Sequence, residues 1–168
     1  DPTAKLTMQI YIQLLKCHQL ECRDLTRRAI NALMPSLGER LEGPGELLKA
    51  MRWTRRILNE EGSSSGGTQQ LAHSWLTVSE HPAVFFHHRA YMVHTMLASI
   101  SKLGLAPHSG SSADFYRKAA LGCTDALLLW EERRRRLSRE MEGRAVDSEE
   151  ADAGQGPGSA SASGSGGG

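Results

Sequence analysis

The sequence predicts an all-α chain of antiparallel helices, and three observations lead to that prediction. Apolar residues recur every three to four positions along most of the chain, as they do on one face of an amphipathic helix. Strict alternation of apolar and polar residues does not persist over the length of a strand. The predicted helices are joined by short connections, which makes consecutive helices antiparallel neighbours.

The first two predicted helices each have a continuous apolar face. In the first helix, this face consists of Leu6, Ile10, Leu14 and Cys17. A neighbouring face carries Met8, Ile12 and Leu15, so we expect this helix to be buried over much of its circumference. In the second helix, the predicted apolar face consists of Cys22, Leu25, Ala29, Ile30 and Leu33, opposite Arg23, Arg27 and Arg28. Pro35 ends this helix, because a proline pushes the preceding residue out of the helical region.

Glycine and proline residues separate four further predicted helices. The third follows Gly43-Pro44-Gly45 and ends at Gly62, and a flexible loop at 63–67 leads to the fourth, which Thr68 can cap. A break at His81-Pro82 precedes the fifth, which is expected to run without interruption from Phe85 to Leu103. Gly104 and Pro107 stop it, and the sixth begins after Ser111 or Ser112 and extends to about Met141. The side chains expected to carry the packing are Leu14, Leu25, Leu33, Trp53, Ile57, Trp75, Phe85, Met96, Leu103 and Trp130.

These helices form three consecutive hairpins, and their spacing matches the period of roughly 40–47 residues that is typical of HEAT-type repeats. A single hairpin of this kind cannot bury its apolar face alone and stacks on its neighbours. We therefore predict a HEAT-type α-solenoid fragment of about six helices over residues 1–142.

The last 26 residues differ in composition from the rest of the chain. The segment 143–168 contains 8 of the 17 glycines and no Leu, Ile or aromatic residue. Because such a segment cannot bury enough apolar surface to offset its ordering entropy, we predict a disordered, Gly/Ser/Ala-rich linker. It carries one Arg and four acidic residues, so the first 142 residues keep a net charge of +4. That charge is too small for a dedicated nucleic-acid-binding protein.

Several functional classes are not supported by the sequence. No apolar run of about 18 residues occurs, so we expect no membrane span. Three cysteines are too few for a disulfide framework and fit a reducing compartment. The start, without an initiator Met or a signal pattern, suggests a segment of a longer chain. Ser99 and Lys102 match a short acyl-transfer pattern whose companion elements are missing. We predict no enzymatic activity and no cofactor.

Metal binding is also not expected. The residues that could serve as ligands are Cys17, His18, Cys22, His87, His88 and His94. They do not form the two pairs, each two to four residues apart, that a structural zinc site usually has.

Two arginine clusters are the candidate partner contacts. One consists of Arg52, Arg55 and Arg56 beside Trp53, and the other of Arg133, Arg134, Arg135 and Arg136. Glu131 and Glu132 precede the second cluster at helical ion-pair spacing, so a solvated helix face also explains it. We do not expect direct contact with nucleic acid, and an acidic partner protein is the preferred alternative.

Four stretches resemble one known family. They are the run from Leu14 to Arg27; Trp53-Thr54 with Ile57 and Glu60-Glu61-Gly62; His87-His88 with Val93, Met96 and Leu103-Gly104; and Trp130-Glu131. In this order they are similar to a helical-repeat segment of the TRRAP (transformation/transcription domain-associated protein) family, over about residues 8–136. No functional residue of the family carries over, because the shared stretches are helix-packing segments.

The resemblance implies a non-catalytic scaffold. Members of this family are very large pseudokinases of the phosphatidylinositol-3-kinase-related group, built mostly from HEAT-type repeats. They act in nuclear histone acetyltransferase complexes of the SAGA and TIP60 type, where they assemble the complex and receive transcriptional activators. The implied partners are therefore complex subunits, activators and neighbouring helical repeats. Two alternatives stay open: a helical-repeat segment of an active kinase of the same group, and a helical nucleic-acid-binding module.

Overall fold

The computed structural model describes residues 2–41, 43–60, 67–105, 110 and 112–153, and the regular structure within these ranges is helical. In chain order the helices are α1 (Pro2–Lys16), α2 (Arg23–Leu33), α3 (Leu37–Arg40), α4 (Pro44–Glu60), α5 (Gly67–Glu80), α6 (Pro82–Phe85), α7 (Val93–Gly104) and α8 (Ala113–Ala153). Short 3-10 turns lie at Leu20–Cys22, Met34–Ser36 and Phe86–Tyr91. The predicted all-α fold is confirmed.

The chain divides into two compact units, Asp1–Glu131 and Glu132–Gly168. In the first unit, α1 packs on α4, and Thr95 of α7 donates a hydrogen bond of 3.5 Å to Asn59 of α4. The second helices of the three hairpins, α2, α5 and α8, also lie next to one another. Arg27 of α2 bonds Thr77 of α5 at 3.2 Å, and Gly122 of α8 lies against α5. The first unit therefore has two layers of helices, as expected for stacked helical repeats.

The core of the first unit lies between these layers. Its largest fully buried side chains include Tyr11, Leu15, Ile30, Met34, Trp75, Phe85, Phe86, Met96 and Leu103. Trp130 of α8 is also buried, and its indole N–H donates a hydrogen bond of 2.7 Å to the carbonyl of Pro82. Of the side chains predicted to carry the packing, Leu14 and Leu33 are only half-buried, whereas Trp53 and Leu25 are exposed.

Polar side chains of α5 enter the core because they meet the end of α1. The last carbonyls of a helix have no partner within it and need donors from elsewhere. Gln70 donates a hydrogen bond to the carbonyl of Leu15, and His73 donates one of 2.9 Å to the carbonyl of Leu14. The buried polar residues of α5 therefore fix this helix against α1, which accounts for their burial without a ligand.

The buried face of α1 differs from the one predicted. The structure buries Ala4, Thr7, Tyr11 and Leu15, and it leaves Leu6 57% exposed and Ile10 exposed as well. Tyr11 can be fully buried because its hydroxyl lies 2.6 Å from the Thr54 hydroxyl, which satisfies its polar end. The expectation of burial around most of the helix is wrong for the Leu6 and Ile10 side.

The orientation of α2 differs in part from the prediction, although Ile30 is buried and Arg28 exposed as expected. Leu25 is 68% exposed, whereas Arg23 and Arg27 are half-buried on the side that was expected to face solvent. Arg27 pairs with Glu80 and Thr77, and the Arg23 guanidinium stacks 3.8 Å from the centre of the Phe115 ring. Because Glu80 and Thr77 pair with the Arg27 guanidinium and the Phe115 ring stacks on that of Arg23, the apolar stems of both arginines can pack against neighbouring helices.

The predicted fifth helix is interrupted. The segment expected to run continuously from Phe85 to Leu103 consists of the last residue of α6, the 3-10 turn Phe86–Tyr91 and α7. The tighter turn allows Phe85, Phe86 and Met92 all to reach the core. The predicted stop at Gly104 and the predicted break before Pro82 are confirmed.

Helix α5 begins two residues earlier than a cap at Thr68 predicts. Its first residue is Gly67, so Thr68 lies inside the first turn and not at the cap. The predicted end of the preceding helix at Gly62 lies outside the described residues, as do the rest of the 63–67 loop and Pro107.

Helix α8 reaches Ala153, eleven residues beyond the boundary predicted at Glu142. The segment 143–153 contains three alanines and no proline, a composition that a helix can accommodate. The rest of the predicted linker, 154–168, lies outside the described residues.

Candidate functional site

The two predicted arginine clusters lie on exposed helix surfaces. Arg52, Arg55 and Arg56 are exposed on α4. The second cluster, Arg133, Arg134, Arg135 and Arg136, is exposed within the second unit, where Arg136 pairs with Glu132 at 3.4 Å. This pairing four residues apart agrees with the helical ion pairs expected from the sequence.

Helix α4 presents its cluster because its opposite face is fixed in the core. The buried face consists of Ala50, Met51, Thr54, Ile57 and Leu58. Thr54 accepts a buried hydrogen bond from the Tyr11 hydroxyl and donates one of 2.9 Å to the carbonyl of Ala50. These contacts set the rotation of α4, so positions 52, 53, 55 and 56 point to solvent.

Trp53 lies at the centre of a groove between α1 and α4. The groove has a volume of about 360 Å³ and is lined by Met8, Glu46, Lys49, Arg52, Trp53 and Arg56. Two cations stand over the indole ring, Arg56 at 5.2 Å and Lys16 of α1 at 5.9 Å from its centre. Trp53 remains 36% exposed, whereas Trp75 and Trp130 are buried.

A smaller recess shares Arg52 with this groove. It has a volume of about 80 Å³ and is lined by Leu48, Met51, Arg52, Arg55 and Tyr91. Tyr91, from the 3-10 turn before α7, is 55% exposed, and the Arg55 guanidinium lies 5.8 Å from the centre of its ring. Arg52 therefore lines two recesses that each contain one exposed aromatic ring.

We call this region the α4 surface, and it comprises Met8, Lys16, Glu46, Leu48, Lys49, Met51, Arg52, Trp53, Arg55, Arg56 and Tyr91. It has five cationic side chains and one acidic side chain, Glu46, which pairs with Lys49. The sequence identified the arginines and Trp53. It did not identify Met8, Lys16 or Tyr91, because these residues lie on other elements. Helical spacing alone places Glu46, Lys49, Arg52, Trp53 and Arg56 on neighbouring positions of one helix.

Three titratable groups with perturbed pKa values, His73, Arg27 and His81, lie away from the α4 surface and have structural partners. Burial lowers the pKa of His73 to about 4, and the nearby Arg27, His18 and Arg23 act in the same direction. Burial also lowers the pKa of Arg27 to about 10. Burial and Arg27 both lower the pKa of His81, whose ring lies 2.9 Å from the Asn31 side chain. Each of these groups joins two helices, which explains its position without a substrate.

The thiols and potential metal ligands form no cluster in the described part of the chain. Cys22 is exposed, Cys17 is half-buried, and burial raises the pKa of the Cys123 thiol to about 12. Within the described ranges, no group of three or more His, Cys, Asp or Glu side chains is arranged to hold a metal ion.

None of the described helices combines the length and the apolar composition needed to cross a membrane.

Comparison with known proteins identifies similar sequences along most of the chain. A family described as the Tra1 HEAT repeat ring region matches residues 1–165. The transformation/transcription domain-associated protein of Danio rerio is 31% identical over 127 residues, which cover 76% of this chain and 3% of that protein. The transcription-associated protein 1 of Drosophila melanogaster is 28% identical over 145 residues, or 86% of this chain and 4% of that protein.

A more distant similarity extends to Saccharomyces cerevisiae. Its SAGA complex/NuA4 acetyltransferase complex subunit TRA1 is 24% identical over 131 residues, which cover 78% of this chain and 3% of that protein. The chain thus spans only a few per cent of the length of these relatives. No solved structure matches the chain.

Proposed function

Because this chain belongs to the family of Tra1 HEAT repeat ring regions, we propose that it is a non-catalytic scaffold segment of a nuclear transcription coactivator. In this proposal it helps to assemble a histone acetyltransferase complex of the SAGA or TIP60 type and to receive transcriptional activators. The observation that carries the proposal is the match of nearly the whole chain to a helical-repeat region of transcription-associated proteins. One of these relatives is itself named as a subunit of the SAGA and NuA4 acetyltransferase complexes.

The first group of proposed partners is the neighbouring helical repeats of the same polypeptide. Leu6 and Ile10 lie one turn apart on the exposed side of α1, while the other side of that helix is buried in the first unit. Leu121 and Leu128 are similarly exposed two turns apart on α8. Repeats of this kind stack through such apolar faces. The relatives are some thirty times longer than the matched segment, so further repeats are the natural cover for these faces.

The second group of proposed partners is other proteins of the complex, which would contact the two arginine clusters. All seven arginines are exposed on helices. Exposed charges of this kind affect partner choice and association rate more than they affect folding. The clusters are therefore suited to recognition and can be altered without loss of the helical core.

The experiment replaces Arg133, Arg134, Arg135 and Arg136 by Glu in the full-length protein that contains this segment. The tagged protein is then purified from nuclei. We expect lower recovery of acetyltransferase subunits and of a recruited activator, measured by quantitative mass spectrometry. The matched control replaces the same four residues by Lys, which keeps the charge and the helix. If the Glu variant recovers the same partners as the Lys variant, the second cluster is only a solvated helix face.

The non-catalytic part of the proposal has its own test. A kinase assay on the purified full-length protein that contains this segment should detect no phosphate transfer. The bound subunits of the complex are first removed by high salt. Kinase activity that depends on a catalytic Asp and a metal-binding Asp-Phe-Gly motif of the same polypeptide would contradict this. The protein would then be assigned to the active kinases.

A further inference from the structure

We propose that the α4 surface binds an acidic peptide segment that carries aromatic or large aliphatic side chains. This inference rests on the proposed function only in that it treats the chain as a platform for other proteins. It adds the location of one docking site and the chemistry of its ligand.

The first argument is the type of side chain that the surface exposes. Trp, Tyr and Arg are the residues that contribute most binding energy at protein–protein interfaces. Here Trp53 and Tyr91 are exposed in the two recesses that Arg52 lines, although the other two tryptophans of the chain are buried. Exposing two aromatic rings costs free energy in the unbound chain, and a partner that covers them recovers it.

The second argument is the shape of the surface. The groove beside Trp53 has an apolar wall formed by Met8 and the indole ring, and its volume of about 360 Å³ accommodates a large side chain. The recess beside Tyr91 is smaller, at about 80 Å³, and Leu48 and Met51 contribute to its lining. Two recesses on one helix favour a linear segment with two apolar anchors rather than a compact small molecule.

The third argument is charge. The α4 surface has five cations and one acid, and Arg52 lines both recesses. A carboxylate placed between two apolar anchors would meet the Arg52 guanidinium, which can bind it through two parallel hydrogen bonds. Carboxylates that flank the first anchor would meet Arg56 and Lys16, which already stand beside the indole ring. The complementary segment is therefore acidic as well as apolar.

The same geometry disfavours single-stranded nucleic acid. Such ligands stack their bases on open aromatic faces. The Trp53 ring has Arg56 and Lys16 over it, and the Tyr91 ring has Arg55 over it, so stacking would have to displace these cations. A peptide can bind without displacing them, because its carboxylates pair with the cations where they stand.

The test is fluorescence anisotropy of a fluorescein-labelled synthetic peptide of Asp residues that contains two spaced Phe residues. We expect the chain to bind this peptide at low salt, and we expect Arg52→Glu and Trp53→Ala each to weaken binding at least about tenfold. Arg28→Glu is the matched control, because Arg28 is an exposed arginine on α2, and its effect should stay within about twofold. Replacing both Phe residues of the peptide by Ala should also weaken binding at least about tenfold.

Tryptophan emission gives a second measurement on the same samples. Binding at the α4 surface should change the fluorescence emission of Trp53. Because Trp75 and Trp130 are buried, the change can be attributed to Trp53. The change should be absent in Trp53→Ala, and circular dichroism should show that both α4 variants keep the helical content of the unaltered chain.

Three results would overturn the inference. They are no binding of the Phe-containing peptide, equal affinity of the Arg52→Glu and Arg28→Glu variants, and tighter binding of a single-stranded thymidine oligonucleotide than of the peptide. Because the assay uses the purified chain alone, these results would refute the docking site and leave the scaffold role untouched. Loss of nuclear complex assembly would have to be established by the purification experiment above.

Discussion

Acid sensitivity provides a direct test of the buried contact between α5 and α1. His73 is almost fully buried, and its Nε2 donates a hydrogen bond to the carbonyl of Leu14. Burial, together with nearby Arg27, His18 and Arg23, lowers the pKa of His73 from 6.5 to about 4 in the folded chain. The unfolded chain therefore takes up a proton at this residue before the folded chain does.

The sign and the size of the effect follow from these two pKa values. The neutral ring stabilises the folded chain fully above about pH 6.5, and this contribution is lost as the pH falls to about 4. Each pKa unit corresponds to about 1.4 kcal/mol, so the whole loss at this residue is about 3 kcal/mol. A domain of this size is stable by about 5–15 kcal/mol, so acid should weaken it markedly.

The assay is urea unfolding monitored by circular dichroism at a series of pH values from neutral to acid. The perturbation is His73→Gln, because the Gln side-chain amide can donate a hydrogen bond to the same carbonyl without taking up a proton. We expect the variant to lose about 3 kcal/mol less than the unaltered chain over this pH range. Comparing the two chains removes the contribution of the other histidines, including His81, whose pKa is also lowered by burial.

The matched control is Ala72→Gly, which destabilises the same helix without altering a titratable group. It should lower the unfolding free energy by about 1 kcal/mol at every pH. If the His73→Gln curve is parallel to that of the unaltered chain, His73 is not held neutral by burial and the reasoning fails.

Three further predictions concern packing. Gly122→Ala would place a methyl group 2.6 Å from the Ser79 hydroxyl and 3.2 Å from its Cβ. It should therefore lower the unfolding free energy by about 1 kcal/mol despite the better helix propensity of Ala. A smaller loss in a Ser79→Ala background would show that the Ser79 side chain causes the clash. Stabilisation by Gly122→Ala alone would contradict the prediction. Leu25→Ala should cost less than about 0.5 kcal/mol in urea unfolding, whereas Ile30→Ala should cost about 2–4 kcal/mol; similar losses would restore the orientation of α2 predicted from the sequence. Cys123, whose pKa burial raises to about 12, should not react with an aromatic disulfide reagent until guanidinium unfolds the chain, so reaction in the native chain would contradict its burial.

The positions of most helices could be predicted because their signals are local. The spacing of apolar residues, the proline at position 82 and the glycine at position 104 act within a few residues of the element that they define.

The rotation of each helix could not be predicted in the same way. On α2, Leu25 is a better core residue than Arg27 by type, yet Leu25 faces solvent. Arg27 faces inward because it meets Thr77 and Glu80, about fifty residues away along the chain. On α1, Tyr11 takes the buried position because its hydroxyl meets Thr54. Such contacts depend on which helices become neighbours, and that information is not contained in the period of a single helix.

In the candidate site, too, some features follow from the local sequence and others from tertiary contacts. The sequence by itself determined an all-α chain of helical repeats with arginines grouped on its helices, because periodicity and helix-breaking residues act locally. It also determined the positions of Arg52, Trp53 and Arg56 on one helix. Only the tertiary structure decided that Lys16 stands over Trp53 and that Tyr91 lies beside Arg55, because packing brings together residues of α1, α4 and the turn before α7. The repeat architecture is thus set by local sequence, and the docking surface by the contacts between repeats.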